Sequence, residues 1–138
     1  MGVLAARVAK WLKTGDVIIL EGELGAGKTS FSRALINAIS PSPEEVPSPT
    51  FTLVQIYDAQ EPAIWHFDLY RIAKPDDVFE LGWEEARRGG VALVEWPERL
   101  GTLLPKDRLE ITIDFTRDSD SSRAVTLTPH GKWQARQT

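Results

Sequence analysis

Short apolar runs alternate with segments of helical apolar spacing along the chain. Residues 17–20 and 91–94 are uninterrupted apolar runs, which predicts two strands that are buried on both faces of a parallel sheet. Residues 1–13 have apolar positions at helical spacing, and the same spacing follows Lys28. The apolar positions after Lys28 are Phe31, Ala34, Leu35, Ala38 and Ile39. This alternation predicts an α/β fold.

Other β-rich segments predict antiparallel pairs. Residues 51–57 and 63–69 surround a polar turn, which predicts a hairpin. Residues 109–115 alternate strictly between apolar and polar side chains, and a polar run at 117–122 separates them from a β-rich stretch at 124–127. We therefore expect a C-terminal hairpin that adds antiparallel strands to the sheet.

Prolines mark the short helices and the main loop. Pro75 and Pro97 predict helix starts, because proline is favoured in the first helical turn. Residues 40–49 contain four prolines and are predicted to form a stiff loop. A stiff loop can present a residue at a fixed place, and the residue that follows this one is Thr50.

Composition limits the classes of function. The chain has 138 residues, and we expect a single domain over residues 1–138. Hydrophobic residues make up 42% and no apolar run approaches the length of a bilayer span, so no membrane segment is expected. Cysteine is absent and no export signal is recognisable, which favours the cytoplasm. A net charge of −4 argues against a domain that binds nucleic acid by itself.

One segment carries a specific chemical signature, the P-loop pattern G-x-x-x-x-G-K-[ST]. Its residues are Gly22, Glu23, Leu24, Gly25, Ala26, Gly27, Lys28 and Thr29. The glycines let several backbone N–H groups approach phosphate oxygens. Lys28 is then placed to contact the β- and γ-phosphates, and the Thr29 hydroxyl to coordinate Mg²⁺.

The flanking elements support this interpretation, because a predicted strand precedes the loop and a predicted helix follows it. Ser30, in the first turn of that helix, is included among the nucleotide-binding residues, since the positive end of the helix dipole faces the phosphates. The predicted fold class is therefore an α/β, P-loop NTPase-like three-layer fold with a mixed parallel/antiparallel sheet and flanking helices. No Asn-Lys-x-Asp guanine signature occurs, so ATP is preferred to GTP.

Glu95 is the predicted metal-binding and catalytic carboxylate. It ends the apolar run 91–94, at the kind of strand end where open α/β sheets bind ligands, and this matches the Walker B pattern. Glu95 is predicted to carry Mg²⁺, to polarise the attacking water, or to do both. The alternative is that it caps the helix that begins at Pro97. Trp96 is predicted to contact the nucleotide, with core packing as the alternative.

Four further residues are candidates for the site or its support. Three of them have two interpretations each, and His66 has only a structural one. Asp68 is the only acid in segment 63–69; it either assists the metal and the water, or pairs with Arg71 or His66. Arg71 is predicted to be a structural partner for an acid, with an arginine-finger role as the alternative. His66 is predicted to be structural, because it lacks ligand partners at metal spacing. Thr50 is either a switch residue that senses the γ-phosphate or a hydroxyl at a strand start.

Four motifs resemble those of the TsaE family, in the same order and over nearly the whole chain. They are the P-loop, Ser-Pro-Thr-Phe from Ser48, His-Phe-Asp-Leu-Tyr-Arg from His66 and Val-Glu-Trp-Pro-Glu from Val94. That family is the small bacterial P-loop ATPase required, with TsaB and TsaD, for forming threonylcarbamoyladenosine beside the anticodon of tRNAs that read codons beginning with A.

The resemblance implies that ATP hydrolysis drives a complex with TsaB and TsaD, in which TsaD holds the tRNA and this chain meets it only indirectly. It also implies Thr29 and Glu95 as magnesium positions, with Asp68 and Thr50 as supporting catalytic or switch residues; Lys28 completes the catalytic set. Family members usually begin with an additional strand before the segment that opens here at Met1, so that strand is expected to be missing.

Two other classes of function are compatible with the sequence. A small-molecule P-loop kinase uses the same loop, but it must enclose an acceptor hydroxyl and usually closes a lid, and no lid with paired arginines is evident. A non-hydrolysing nucleotide-sensing adaptor would not need Glu95 in a catalytic position.

Overall fold

The computed structural model describes residues 2–22, 27–41, 46, 52–116 and 119–136. The strands are β1 (Val17–Glu21), β2 (Val54–Tyr57), β3 (Ala63–Asp68), β4 (Gly90–Glu95), β5 (Arg108–Thr116) and β6 (Ser119–His130). The α-helices are α1 (Gly2–Trp11), α2 (Lys28–Ile39) and α3 (Trp83–Gly89). Shorter 3₁₀ helices span Pro75–Leu81, Pro97–Leu103 and Gly131–Ala135.

The strands form one sheet in the order β2-β3-β4-β1-β5-β6. Strands β3, β4, β1 and β5 run parallel, whereas β2 and β6 pair antiparallel at the two edges. This confirms the mixed α/β sheet and both predicted hairpins. The carboxyl ends of the parallel strands lie at one edge, where Glu95 is in register with Leu20 on one side and with Asp68 on the other.

Each face of the sheet has its own apolar core, because successive strand residues point to opposite sides. In β1, Ile18 and Leu20 belong to the cluster that α1 and α2 cover, which we call the α2 face. Val17 and Ile19 belong to the cluster that α3 covers, which we call the α3 face. Full burial of each such side chain contributes about 1.5–3 kcal/mol, so this double covering makes β1 the rigid base of the loop that follows it.

Two strands begin three or more residues away from the start that the sequence predicts. Strand β2 begins at Val54, not at residue 51, because Leu53 has a φ of 69°, a left-handed conformation that does not continue a strand. Strand β6 already begins at Ser119, inside the predicted polar turn, and Thr116 pairs with Ser119 across a register shift. Hairpin pairing uses backbone groups, so a polar composition does not prevent it.

The C-terminal 3₁₀ helix is an element that the sequence pattern does not predict. It buries Trp133 to 1% exposure, and the following Arg136 donates from Nη1 to Oδ2 of Asp16 over 2.6 Å. These contacts fix the end of the described chain against the start of β1. Over the described ranges, no helix combines the length and apolar character needed to cross a membrane.

Candidate active site

Glycine is required where β1 gives way to the P-loop. Gly22 has a φ of 149°, and a Cβ at this position would overlap the backbone carbonyl of Ile113 on β5. The chain therefore leaves the sheet where only glycine fits. The next four loop residues, Glu23, Leu24, Gly25 and Ala26, lie outside the described residues, so their nucleotide-binding role stays a prediction.

Helix α2 begins directly after Gly27, whose φ of 111° is in the left-handed region. Its first turn contains no acidic residue, and its N-cap makes no side-chain capping bond. Backbone N–H groups at such a helix start are available to an anion. In the same turn Thr29 is partly exposed and Ser30 is exposed, as expected for residues that could contact a ligand.

Lys28 lies against an aromatic ring at the end of β4. Its side chain is largely buried, with the residue 8% exposed, and Nζ lies 4.4 Å from the centroid of the Trp96 ring. The ring of Tyr70 packs against Trp96 with centroids 4.8 Å apart. Trp96 itself has a left-handed backbone (φ 61°, ψ 53°), a strained conformation for a bulky residue. The predicted phosphate-binding lysine and the predicted nucleotide-contacting tryptophan are thus brought together.

Glu95 is buried at the end of β4 and bonded to a histidine. It is 4% exposed, and its Oε2 lies 2.7 Å from Nε2 of His66. Trp96, not Glu95, is the N-cap of the helix that starts at Pro97, and no side chain caps that helix. The side chain of Glu95 therefore serves the His66 contact and not the helix end. The sequence predicts a structural role for His66 but not this partner.

Asp68 ends β3 beside Glu95 and is also buried, at 4% exposure. Its Oδ1 accepts a hydrogen bond from the backbone N–H of Tyr70 over 3.0 Å, which holds the turn after β3. Arg71 is exposed in that turn. Asp68 is thus a positioned carboxylate at the same sheet edge as Glu95.

Strand parity puts these carboxylates on the α2 face. Leu93 belongs to the α2-face cluster, and Glu95 lies two residues further along β4. His66 and Asp68 are the register partners of Leu93 and Glu95, so they lie on the same face. Helix α2 begins on this side with Lys28. Parity within each strand can be predicted from the sequence, but the His66–Glu95 contact also requires that β3 pairs with β4.

A cleft of about 100 Å³ lies at the same edge of the sheet. It is lined by Leu20, Glu21, Gly22, Lys28, Trp96, Pro97 and Glu98. Burial raises the pKa of the Glu21 carboxyl above its ordinary value, and the negative charges of Glu110 and Glu98 raise it further. The sequence interpretation overlooked Glu21 and Glu98, although Glu21 directly follows the apolar run of β1 and precedes the first P-loop glycine.

The available oxygen donors fit magnesium that arrives with a nucleotide. Within the described part of the chain, no three acidic or histidine side chains are grouped so as to hold a metal ion. Mg²⁺ usually takes only one or two carboxylates and completes its octahedral shell with water and phosphate oxygens. Glu95, Asp68 and the Thr29 hydroxyl are suitable hard ligands. Thr50, predicted as a switch residue, lies outside the described residues.

A family model described as Threonylcarbamoyl adenosine biosynthesis protein TsaE matches residues 1–125. The chain belongs to the TsaE family. This family is involved in tRNA threonylcarbamoyladenosine biosynthesis, so the family resemblance of the sequence motifs is confirmed.

Individual TsaE proteins are similar over most of the chain. The tRNA threonylcarbamoyladenosine biosynthesis protein TsaE of Rickettsia conorii is 39% identical over 127 residues, which are 92% of this chain and 72% of that protein. The TsaE protein of Bacillus subtilis is 39% identical over 129 residues, 93% of this chain and 78% of its own length. The crystal structure of Bacillus subtilis YdiB matches with a TM-score of 0.78 at 32% identity, covering 98% of this chain and 82% of that one. The predicted P-loop-like α/β fold is confirmed.

Proposed function

We propose that this TsaE-family chain is a Mg²⁺-dependent subunit that binds and hydrolyses ATP. It works with TsaB and TsaD and supports threonylcarbamoyl modification of the adenosine next to the tRNA anticodon. Membership of the family gives the pathway.

The observation that carries the proposal is the contact between Lys28 and Trp96, the residue directly after Glu95. This contact puts a P-loop lysine next to the strand end that bears a buried carboxylate. Phosphoryl transfer needs both halves, a cation for the phosphates and a carboxylate for the metal or the water. Asp68, in register with Glu95, adds a second negative charge, and neighbouring carboxylates favour a cation between them.

Each residue has a task that follows from its position. The first-turn N–H groups of α2 bind phosphate oxygens, and Lys28 neutralises charge on the β- and γ-phosphates. Thr29 and Glu95 hold magnesium, which when bound would stabilise charge that develops on the phosphate oxygens. Asp68 and Glu95 orient the attacking water, and Thr50 senses the γ-phosphate.

The charge of the chain supports an indirect relation to tRNA. With a net charge of −4, the chain lacks the excess of lysine and arginine by which proteins bind a phosphate backbone. In the proposed complex TsaD holds the tRNA, and ATP turnover in this chain acts on the complex.

Phosphate release from Mg·ATP tests the proposal, measured for the chain alone and with TsaB and TsaD. We expect slow release alone and faster release in the complex. Lys28→Ala should weaken ATP binding, because the phosphates lose their main side-chain cation. Glu95→Ala should retain binding but lose turnover by about 10²–10³-fold, as is typical when one stabilising group is removed.

Other outcomes would favour the other classes. Equal turnover in the wild type and in Glu95→Ala would remove Glu95 from the mechanism. ATP binding with no turnover, alone or with the partners, would favour a nucleotide-sensing adaptor. Transfer of phosphate to a small hydroxyl compound in preference to water would favour a kinase.

A further inference from the structure

His66 is a fully buried polar residue that the steps above do not use. Its side chain is 0% exposed, and it lies on the α2 face of β3. A buried imidazole is less favourable than an aliphatic side chain of similar size unless its polar atoms are paired. Its contact with Glu95 is therefore what compensates for its burial.

The hydrogen bonding of the ring fixes its donor. Nε2 lies 2.7 Å from the Glu95 carboxylate, which can only accept, so Nε2 carries the proton and donates. Nδ1 is buried and has no hydrogen-bond partner within the described residues. The Nε2–H group is thus the donor that the ring directs at Glu95.

This bond restricts the orientation of Glu95. A glutamate side chain has three rotatable bonds, and ordering such a long side chain costs conformational entropy. His66 holds Oε2, which leaves Oε1 as the oxygen to meet an ion or a water. Groups that orient a metal or catalytic ligand from behind typically change affinity or activity by about 10–100-fold.

We propose that His66 is a positioning residue that sets the orientation of Glu95 through its Nε2–H bond. The inference rests on the proposed function, because it assigns His66 to the same carboxylate. His66 touches no reacting atom in this scheme. It acts on turnover by keeping one carboxylate oxygen directed at the ion or the water, since displacements of about 1 Å in such a group cost about 100-fold in rate.

Three substitutions at position 66 separate positioning from packing. His66→Gln carries an amide N–H at about the reach of Nε2, His66→Asn carries one at about the reach of Nδ1, and His66→Leu keeps volume without a donor. The other histidine of the chain supplies the control. Nε2 of His130 lies 3.7 Å from Oε1 of Glu110, and the side chains of this pair are more exposed than those of His66 and Glu95. His130→Gln removes an imidazole beside a glutamate without touching Glu95.

The experiment measures Mg·ATP affinity by calorimetry and kcat by phosphate release, with TsaB and TsaD present, and Tm for each variant. We expect His66→Leu to lower kcat by about 10–100-fold while the Kd for Mg·ATP changes less than about threefold. His66→Gln should recover most of the lost kcat and His66→Asn should not. His130→Gln should match the wild type in kcat and in the Kd for Mg·ATP.

Other results would overturn the inference. Equal kcat in His66→Leu and wild type would show that Glu95 needs no orienting donor. Equal kcat in His66→Gln and His66→Asn would show that the reach of the donor is irrelevant, and this comparison remains available if His66→Leu does not fold. If wild-type turnover does not depend on Glu95, tested with Glu95→Gln, the proposed function fails and the inference fails with it. If Glu95 is essential and His66→Leu is fully active, only the inference fails.

Discussion

Two histidine–glutamate pairs connect neighbouring strands of the same sheet. In the central region, formed by β3, β4 and β1, Nε2 of His66 lies 2.7 Å from Oε2 of Glu95, and the two side chains are 0% and 5% exposed. In the outer hairpin, formed by β5 and β6, Nε2 of His130 lies 3.7 Å from Oε1 of Glu110, and the two side chains are 32% and 23% exposed. A distance of 3.7 Å is too long for a hydrogen bond, and Nε2 of His130 is itself buried without a hydrogen-bond partner among the described residues.

The same residue types therefore do different things in the two regions. In the central region water is largely excluded, so each polar group needs a protein partner or a ligand. In the outer hairpin the two side chains are partly exposed, so solvent contacts part of each of them without reaching Nε2 of His130. Burial at the carboxyl ends of parallel strands, and not the identity of the residues alone, marks the central pair as part of a site.

The largest difference between the two regions should appear in stability. Leu93 on β4 is 0% exposed, whereas Leu127 on β6 is only partly buried. Leu93→Ala should lower the free energy of unfolding by about 2–5 kcal/mol, because it leaves a cavity between two covered faces. Leu127→Ala should cost clearly less, since solvent can fill the gap. Urea unfolding measures both, and equal losses would remove the distinction between centre and edge.

A smaller effect is expected from the contact of Lys28 with Trp96. A double-mutant cycle with Lys28→Met and Trp96→Leu, read by urea unfolding, should give a coupling of about 0.5–1 kcal/mol in favour of the wild-type pair. Lys132 is the control, because it is exposed and lies far from Trp96. It follows the end of β6 that pairs with the start of β5, at the edge of the sheet opposite to the carboxyl ends of the parallel strands. Lys132→Met combined with Trp96→Leu should be additive. A coupling below about 0.3 kcal/mol for Lys28, as expected of residues that are not in contact, would mean that the ring does not hold the lysine.

Much of the central region can be predicted from the sequence. Apolar runs such as 17–20 and 91–94 identify strands covered on both faces, and the residue that ends such a strand is a candidate for ligand contact. That reasoning identified Glu95. Asp68 was identified as the only acid in segment 63–69, and the structure puts the two carboxylates in register. Their catalytic roles stay predictions.

The remaining features depend on strand order, which local patterns do not contain. His66 and Glu95 are 29 residues apart, and they meet only because β3 pairs with β4. The contact of Lys28 with Trp96 likewise requires β4 to lie beside β1. In the outer hairpin, the early start of β6 depends on backbone pairing within a polar run.

The smallest effect concerns Glu21, at the boundary between the two regions. Burial and the charges of Glu110 and Glu98 raise the pKa of Glu21, so the folded state holds this proton more tightly than the unfolded state. Stability should therefore fall as pH rises from the ordinary glutamate pKa through the raised one. Glu21→Gln lacks this loss, and its Tm at pH 7 should exceed that of the wild type by about 1–3 °C.

Below the ordinary glutamate pKa this difference in Tm should disappear, because Glu21 is then protonated in both states. Glu85→Gln, on the exposed surface of α3, is the control and should not alter Tm with pH. A Tm gain for Glu21→Gln that is the same at every pH would point to packing and not to charge.

Gly22, the first residue of the P-loop, lies so close to Ile113 that the start of the loop packs directly on strand β5 of the outer hairpin. In Gly22→Ala the added methyl group would push β5 away from β1 before it altered any contact with phosphate. Loss of activity in that variant would therefore report a loosened scaffold. Chemistry at the P-loop is better probed from Lys28 onward, where side chains can be changed without separating strands.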